Sequence, residues 1–100
     1  ALLVVALDDT ILIFSLETLS PTIQLDGHTG SVTQVLFPTH FPQTLVSVSL
    51  DRTFKVWDLV GQQLQYQSAI LAAAGISCLA EDPVHPRMAV GFEDGTLRFF

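Results

Sequence analysis

The sequence predicts an all-β fold built from repeated antiparallel hairpins, and a constant spacing of 43 residues is the main observation behind this prediction. The spacing separates three aspartates: Asp8, Asp51 and Asp94. It also separates three aromatic residues: Phe14, Trp57 and Phe100. Each aspartate lies between two apolar, β-branched runs, as a hairpin turn lies between its strands. The repetition along the chain indicates that one structural unit recurs.

Composition excludes several classes of protein. The chain has 100 residues, of which 49% are apolar and 14% are charged, and its net charge is −6. Disordered chains combine low hydrophobicity with high charge, so this composition predicts a packed core. With only 4 Lys and Arg, we expect no nucleic-acid binding, because such surfaces need a basic stripe. The longest apolar stretch, 69–80, is shorter than the ~18 residues that cross a bilayer, so no membrane role is expected.

The elements of the three hairpins follow from these apolar runs. The paired runs are 2–7 with 11–16, 45–50 with 54–59, and 88–92 with 97–100. Asp and Gly occupy the connections, where they favour tight turns. Many of these runs are apolar on both faces, which is typical of strands that lie between two sheets.

Further strands are predicted between the hairpins. The more polar runs 22–25 and 63–67 indicate outer strands, and the more apolar runs 32–37 and 76–80 indicate inner strands. A helix over Leu64 to Ala74 is the competing interpretation, since Gln, Leu and Ala favour helices. This segment has no N-cap residue and is followed by Gly75, so we prefer an outer strand that continues into a loop.

Four strands in about 43 residues form one blade of a β-propeller. The prediction is therefore a propeller segment of ten strands in four-stranded antiparallel blades. Residues 1–25 supply the last three strands of one blade, 31–68 a complete blade, and 75–100 the first three strands of the next. A closed propeller needs about four to eight blades, so we expect the remaining blades to come from the same, longer chain.

The middle repeat carries a recognisable pair of dipeptides. Gly27-His28 precedes an inner strand, and Trp57-Asp58 follows 30 residues after the glycine, with Ser49-Leu50-Asp51-Arg52-Thr53 between them. This segment resembles a WD40 repeat. The first repeat has Phe14-Ser15 in place of Trp-Asp, and the third repeat has no Gly-His. The resemblance implies a β-propeller fold.

The resemblance also implies a structural hydrogen-bond network of His28, Ser47, Asp51 and Trp57, with Ser49 as the alternative serine. A buried indole needs a partner for its N–H, and a hydroxyl linked to a histidine can supply one. The same residue types could be mistaken for a Ser-His-Asp catalytic triad. A triad needs an exposed serine nucleophile, whereas this serine is expected inside a strand beside Trp57.

The remaining reactive side chains have simpler interpretations. The acidic pairs Asp8-Asp9 and Glu93-Asp94 are expected as turn residues. A zinc site needs three or four converging ligands, so His40 and His85 are expected as solvated loop residues. Cys78 is expected as a small core residue, and Lys55 and Arg98 share a partly exposed strand position. We therefore expect no metal, no cofactor and no catalytic residue.

The WD40 resemblance implies a non-enzymatic, intracellular scaffold that presents loops to protein or peptide partners. Two alternatives stay open: an enzymatic propeller with its active site at the channel mouth, and a structural spacer in a large assembly. The loops before the inner strands and the hairpin turns are expected on one face. That face contains Asp9, Thr29, Gly30, Arg52, Glu93 and, less clearly, Ala73. Its acidic balance predicts a basic or neutral partner.

Overall fold

The computed structural model describes residues 2–70 and 74–100 and contains ten β-strands there. The strands are β1 (Leu2–Leu7), β2 (Thr10–Ser15), β3 (Ser20–Asp26), β4 (Val32–Leu36), β5 (Thr44–Ser49), β6 (Phe54–Asp58), β7 (Gln63–Gln67), β8 (Ile76–Glu81), β9 (Met88–Phe92) and β10 (Leu97–Phe99). Each predicted strand is present, with bounds that agree to within two residues. The described residues include no helix.

The strands form three antiparallel sheets in which every strand pairs with its neighbour in sequence. The first sheet has the order β1-β2-β3, the middle sheet β4-β5-β6-β7, and the third sheet β8-β9-β10. The all-β prediction is thereby confirmed. The helix alternative is wrong for 64–70, where β7 is followed by irregular chain. Residues 71–73 of that alternative lie outside the described residues, and the assignment of 1–25, 31–68 and 75–100 to blades stays a prediction.

Two of the hairpin turns share the same hydrogen bond between an aspartate side chain and a backbone amide. The Oδ1 atom of Asp51 accepts a hydrogen bond from the Thr53 amide at 3.0 Å, and Asp94 Oδ1 accepts one from the Thr96 amide at 2.9 Å. A left-handed residue follows Asp51 and Asp94, with φ of 72° at Arg52 and 87° at Gly95, whereas in the first turn Asp8 itself is left-handed, with φ of 51°. Such aspartate-centred turns stabilise the backbone locally, which explains why Asp51 and Asp94 occupy equivalent positions in two successive repeats.

The middle sheet buries apolar side chains on both faces. Towards the third sheet, Val46, Val48 and Phe54 pack with Ile76, Leu79, Val90 and Phe92. Towards the first sheet, Leu45 and Trp57 pack with Ile11, Ile13 and Leu25. Alternate residues of a strand point to opposite faces, so β5 contributes to both clusters. The prediction of strands between two sheets holds for β5, whereas β1 is largely exposed, with Val4 and Val5 half-buried.

Two side chains differ from their predicted environment. Lys55 was expected to be partly exposed, but it is 3% exposed and its Nζ donates to Gln67 Oε1. Burial lowers the pKa of Lys55, and the negative charge of Asp51 opposes that shift. The prediction was wrong because β6 faces the first sheet at this position. Arg98, at the equivalent position of the next repeat, is exposed.

The prediction of a core position for Cys78 is also wrong, since the residue is exposed. The pairing of β8 with β9 shifts register between Ile76 and Cys78. This bulge leaves Ile76 and Leu79 buried at a spacing of three residues, whereas a regular strand alternates every second residue. Cys78 therefore lies on the uncovered side of β8.

Polar side chains of β4 connect the middle sheet to the third sheet. Gln34 Nε2 donates to the Leu79 carbonyl at 2.8 Å, and the Leu79 amide donates back to Gln34 Oε1 at 3.0 Å. Thr33 Oγ1 adds a hydrogen bond of 2.7 Å to the Ile76 carbonyl. The amide of Gln34 thus pairs with β8 much as another strand would, and it holds the two inner strands at a defined separation.

Replacing Gln34 with leucine is expected to lower the free energy of unfolding by about 1–3 kcal/mol, because the Leu79 amide and carbonyl then lose their partners. The measurement is denaturant unfolding of the full-length protein. Gln24→Leu on β3 is the matched control, since the exposed Gln24 bonds only to Asp26 in the described structure and should change stability by less than about 0.5 kcal/mol. Equal effects of the two substitutions would contradict the bridging role.

Candidate functional site

Four side chains meet beneath the loop that joins β3 to β4. His28 lies in that loop, Ser47 on β5, Asp51 in the β5–β6 turn and Trp57 on β6. The Nδ1 atom of His28 is 2.8 Å from Asp51 Oδ2, and its Nε2 atom is 2.7 Å from Ser47 Oγ. The indole Nε1 of Trp57 is 2.8 Å from the same hydroxyl oxygen. The structure thus brings together the four side chains that the sequence singled out.

The chemistry of these groups sets the direction of each hydrogen bond. An indole N–H can only donate, so Ser47 Oγ accepts from Trp57. The ionised carboxylate of Asp51 can only accept, so His28 Nδ1 carries a proton and donates it to Asp51. In the neutral ring, His28 Nε2 is then unprotonated and accepts the hydroxyl proton of Ser47. The network therefore holds His28 as the neutral Nδ1–H tautomer.

Burial favours the same neutral form. His28 is 4% exposed and Ser47 is fully buried. Desolvation lowers the pKa of His28 below its ordinary value of 6.5, although the hydrogen bond and the negative charge of Asp51 oppose the shift. A second proton on the ring would face Ser47, whose own proton would then need another acceptor. Both the burial and the hydrogen-bond directions thus disfavour the imidazolium ion.

Asp51 is the acceptor at the end of the network. Its Oδ2 also accepts from the Thr29 amide at 3.0 Å, and its Oδ1 accepts from the Thr53 hydroxyl at 2.6 Å. Burial alone would raise the pKa of Asp51, but the hydrogen bonds from Thr53, His28 and Thr29 outweigh it and lower the pKa to about 2. Sequence reasoning missed Thr53 as a partner, although Thr10, Thr53 and Thr96 keep the 43-residue spacing.

Two glycines allow the loop to lie close to the network. A Cβ atom at Gly27 would lie 3.1 Å from the ring of Trp57, and a Cβ at Gly30 would lie 2.9 Å from the Asp51 amide nitrogen. Backbone cannot yield as a flexible side chain can, so Gly30 is constrained by contact with the β5–β6 turn. Gly30 therefore has a structural reason to be glycine in addition to its predicted place on the partner face.

The two serines of β5 have different partners. Ser49, the alternative to Ser47, donates to the Gly30 carbonyl at 3.0 Å and accepts from the Asp51 amide. Ser47 uses its oxygen to accept from Trp57 and its proton to reach His28. A serine nucleophile must be reached by substrate, and Ser47 is fully buried. The geometry therefore suits a network that holds the loop, the turn and β6 together.

The residues of the predicted partner face lie at the end of the sheets where the hairpin turns are. The Val32 amide donates to the Asp8 carbonyl at 2.6 Å, and the Glu93 amide donates to the Gly75 carbonyl at 2.9 Å. These bonds bring two turns against the loops before the inner strands. Asp9, Thr29 and Glu93 are exposed, whereas Gly30 and Arg52 are half-buried. Ala73 lies outside the described residues.

Asp26 was missed as a member of this acidic end. It is exposed at the end of β3, and its Oδ1 accepts from the Thr10 hydroxyl at 3.1 Å. This bond connects Asp26 to the first hairpin turn. Its position directly before Gly27-His28 was the available sequence signal.

The other two histidines lie at the opposite end of the sheets. His40 and His85 are exposed on the β4–β5 and β8–β9 loops, and His85 Nδ1 is 3.2 Å from Asp82 Oδ2. Across 2–70 and 74–100, no three His, Cys, Asp or Glu side chains are grouped as metal ligands. Within the same ranges, no helix has the length and apolar character needed to cross a membrane.

Part of this chain matches the model of a known protein family. The model of the family described as "WD domain, G-beta repeat" matches residues 19–58, a range that covers β3 to β6. The repeat thus combines an outer strand of the first sheet with three strands of the middle sheet. The loop with His28 joins these two parts. The match confirms the resemblance to a WD40 repeat.

Two curated relatives are similar to this chain over most of its length. The mouse nucleoporin Nup37 is 30% identical over 76 residues, which cover 76% of this chain and 23% of that protein. The probable coatomer subunit beta' of Schizosaccharomyces pombe is 29% identical over 92 residues, which cover 92% of this chain and 11% of that protein. The chain therefore spans less than a quarter of either relative.

The network should behave as a unit in unfolding experiments on the full-length protein. His28→Ala is expected to lower the free energy of unfolding by about 1–3 kcal/mol through lost pairing, and Asp51→Asn by a similar amount. The double variant should lose less than the sum, because both changes act on one network. Trp57→Ala, which also removes core contacts, should cost about 3–5 kcal/mol. Additive effects of His28→Ala and Asp51→Asn would contradict the coupling.

Acid should weaken the fold through His28. As the pH falls below about 6.5, the unfolded chain takes up a proton on this side chain that the folded chain resists, so the free energy of unfolding decreases. Asp51 adds a further loss between about pH 3.8 and 2. The measurement is denaturant unfolding at a series of pH values.

The matched variants are His28→Gln and His40→Gln. The His28→Gln variant should be less stable than the wild type at neutral pH. Between pH 7 and 5 its free energy of unfolding should fall less steeply than that of the wild type, and the difference in slope should be at most about 1.4 kcal/mol per pH unit, which corresponds to one proton. The second removes an exposed imidazole and should keep the wild-type pH profile. An unchanged profile in His28→Gln would show that another group controls the acid response.

Proposed function

This chain carries a WD40 repeat at residues 19–58, and on that premise we propose that it is a non-catalytic part of a protein-interaction scaffold. In this proposal residues 1–25, 31–68 and 75–100 belong to three successive blades of one propeller. The remaining blades come from the same chain. The blades present loops and turns to protein or peptide partners.

The observation that carries this proposal is the closed hydrogen-bond network. The groups that could act as nucleophile, base and acid are bonded to one another, and Ser47 and His28 are buried. Their chemistry is used to hold the loop before β4 against the β5–β6 turn. The surface above the network consists of backbone and short polar side chains. Such a surface suits binding better than catalysis.

The partner face consists of Asp9, Thr29, Gly30, Arg52 and Glu93. Two carboxylates and one guanidinium lie on it, and Asp26 adds a nearby carboxylate that is also exposed. Asp51 lies below with both oxygens engaged, so it is a weak contributor to recognition. The excess of negative charge favours a basic or neutral partner, because opposite charges raise the association rate and like charges lower it.

The relatives support a role in an assembly. One is named a nucleoporin and the other a coatomer subunit. Carried over to this chain, these names favour protein partners and an intracellular location, in the nucleus or the cytoplasm. The small number of cations in the chain, 4 Lys and Arg, disfavours nucleic acid as the partner.

The test compares two exposed acids at opposite ends of the first sheet. Asp9 lies in the β1–β2 turn, on the partner face, and Glu17 lies in the β2–β3 turn at the other end. Proteins captured from cell extract by the full-length protein are first identified, and the best-enriched one is purified for direct titration at two salt concentrations. Asp9→Lys and the double variant Asp9→Lys/Glu93→Lys should weaken its binding, with the larger loss at low salt.

Glu17→Lys makes the same charge change away from the face and should leave the affinity unchanged. Unfolding midpoints of all variants should match the wild type, because these side chains are exposed. Unchanged affinity and salt dependence in the double variant would place the binding surface elsewhere. Equal losses in Asp9→Lys and Glu17→Lys would indicate only an effect of net charge.

A further inference from the structure

A cavity of about 310 Å³ opens between the middle and third sheets, at the end opposite the hairpin turns. The β4–β5 and β8–β9 loops form its mouth. Its lining includes His40 and Phe41 from the first loop and Pro86 and Arg87 from the second. The cavity is therefore separate from the partner face and from the network of His28.

The walls of the cavity are apolar and partly aromatic. Val46, Val56 and Met88 line it together with Phe54 and Phe100. The rings of Phe54 and Phe100 are 4.9 Å apart between centroids, at an interplanar angle of 59°. Tilted and offset arrangements of this kind can accept a further ring at an edge or face. Phe41, at the mouth, is 54% exposed.

The charged groups at the mouth already have partners. Glu81, at the end of β8, is bonded across to the β4–β5 loop, and Asp82 is bonded within the β8–β9 loop. Both carboxylate oxygens of Glu81 accept from Thr39, one from its amide at 2.9 Å and one from its hydroxyl. Asp82 accepts from the Val84 amide at 2.8 Å and from Arg87 Nε at 2.8 Å. The terminal nitrogens of Arg87 make no hydrogen bond within the described residues. The mouth therefore offers N–H donors and little uncompensated charge.

We propose that this cavity binds an uncharged aromatic side chain presented by an extended peptide of a partner protein. An apolar cavity of about 150 Å³ holds benzene, so 310 Å³ leaves room for a ring and part of its peptide unit. A charged side chain would be buried against these walls without a partner, at a large cost. The free N–H groups of Arg87 suit a backbone carbonyl beside the ring.

This site is a second contact surface, and it does not depend on the acidic partner face. A partner that reached both ends of the sheets would be held by charge at one end and by apolar burial at the other. Anchors of this type carry a large part of the binding energy in many interfaces, because a ring in a closely fitting pocket is fully desolvated.

The test uses N-acetyl-phenylalanine amide as the probe and ligand-observed saturation-transfer NMR on the full-length protein. The wild type should transfer saturation to the ring protons of the probe. Phe41→Ala removes an exposed wall of the mouth and should raise the dissociation constant by about fivefold or more. Phe37→Ala is the matched control, since Phe37 is 41% exposed on the same connection but does not line the cavity, and it should bind as the wild type does.

N-acetyl-lysine amide completes the set of probes. It should bind more weakly than the neutral aromatic amide, because its ammonium group would be buried against apolar walls. Absence of saturation transfer to the amide probe would overturn the proposal. This is the result expected if another segment of the same protein fills the cavity. Equal effects of Phe41→Ala and Phe37→Ala would also overturn it, and so would tighter binding of the lysine probe.

Discussion

The donor-only indole of Trp57 is the constraint on which the middle sheet depends. Because its N–H is buried and must be accepted, Ser47 Oγ accepts from it and the serine proton is directed to His28. His28 then donates to Asp51, which also receives the Thr29 amide. Hydrogen-bond donation therefore runs in one direction, from Trp57 on β6 to Ser47 on β5, then to His28 in the loop and Asp51 in the turn. Removing any partner leaves a buried polar group unpaired, which costs more than the bond itself contributes.

The middle sheet is stable in this arrangement because both of its faces are covered. Along β5, the residues Val46 and Val48 face the third sheet, whereas Leu45 and Ser47 face the first sheet and the network. Both faces bury apolar side chains, and the face towards the first sheet adds the specificity of one serine for one indole. Gln34 then sets the distance to the third sheet by pairing with the backbone of Leu79. Packing and hydrogen bonds thus act together on both sides of the middle sheet.

The two ends of the sheets differ in the chemistry of their exposed side chains. At the hairpin-turn end, the carboxylates that cap turns leave acidic groups such as Asp9 and Glu93 at the surface. At the other end, Glu81 is bonded to Thr39 of the β4–β5 loop and Asp82 to Arg87 of its own loop, so the exposed character there is aromatic. A charged surface steers a partner, and an apolar cavity holds one after it has arrived. The two proposed contact surfaces therefore suit different parts of a partner.

The sequence by itself determined the repeat, the ten strands and their approximate bounds, because the 43-residue spacing and the apolar runs are local properties of the chain. It also indicated His28, Ser47, Asp51 and Trp57 through the resemblance to a WD40 repeat. Only the tertiary structure decided that Lys55 is buried and Cys78 is exposed, and that Gln34 pairs with Leu79, 45 residues away. Strand periodicity tells which residues share a face. A neighbouring sheet decides whether that face is covered, and a bulge such as the one before Cys78 shifts the alternation by one residue.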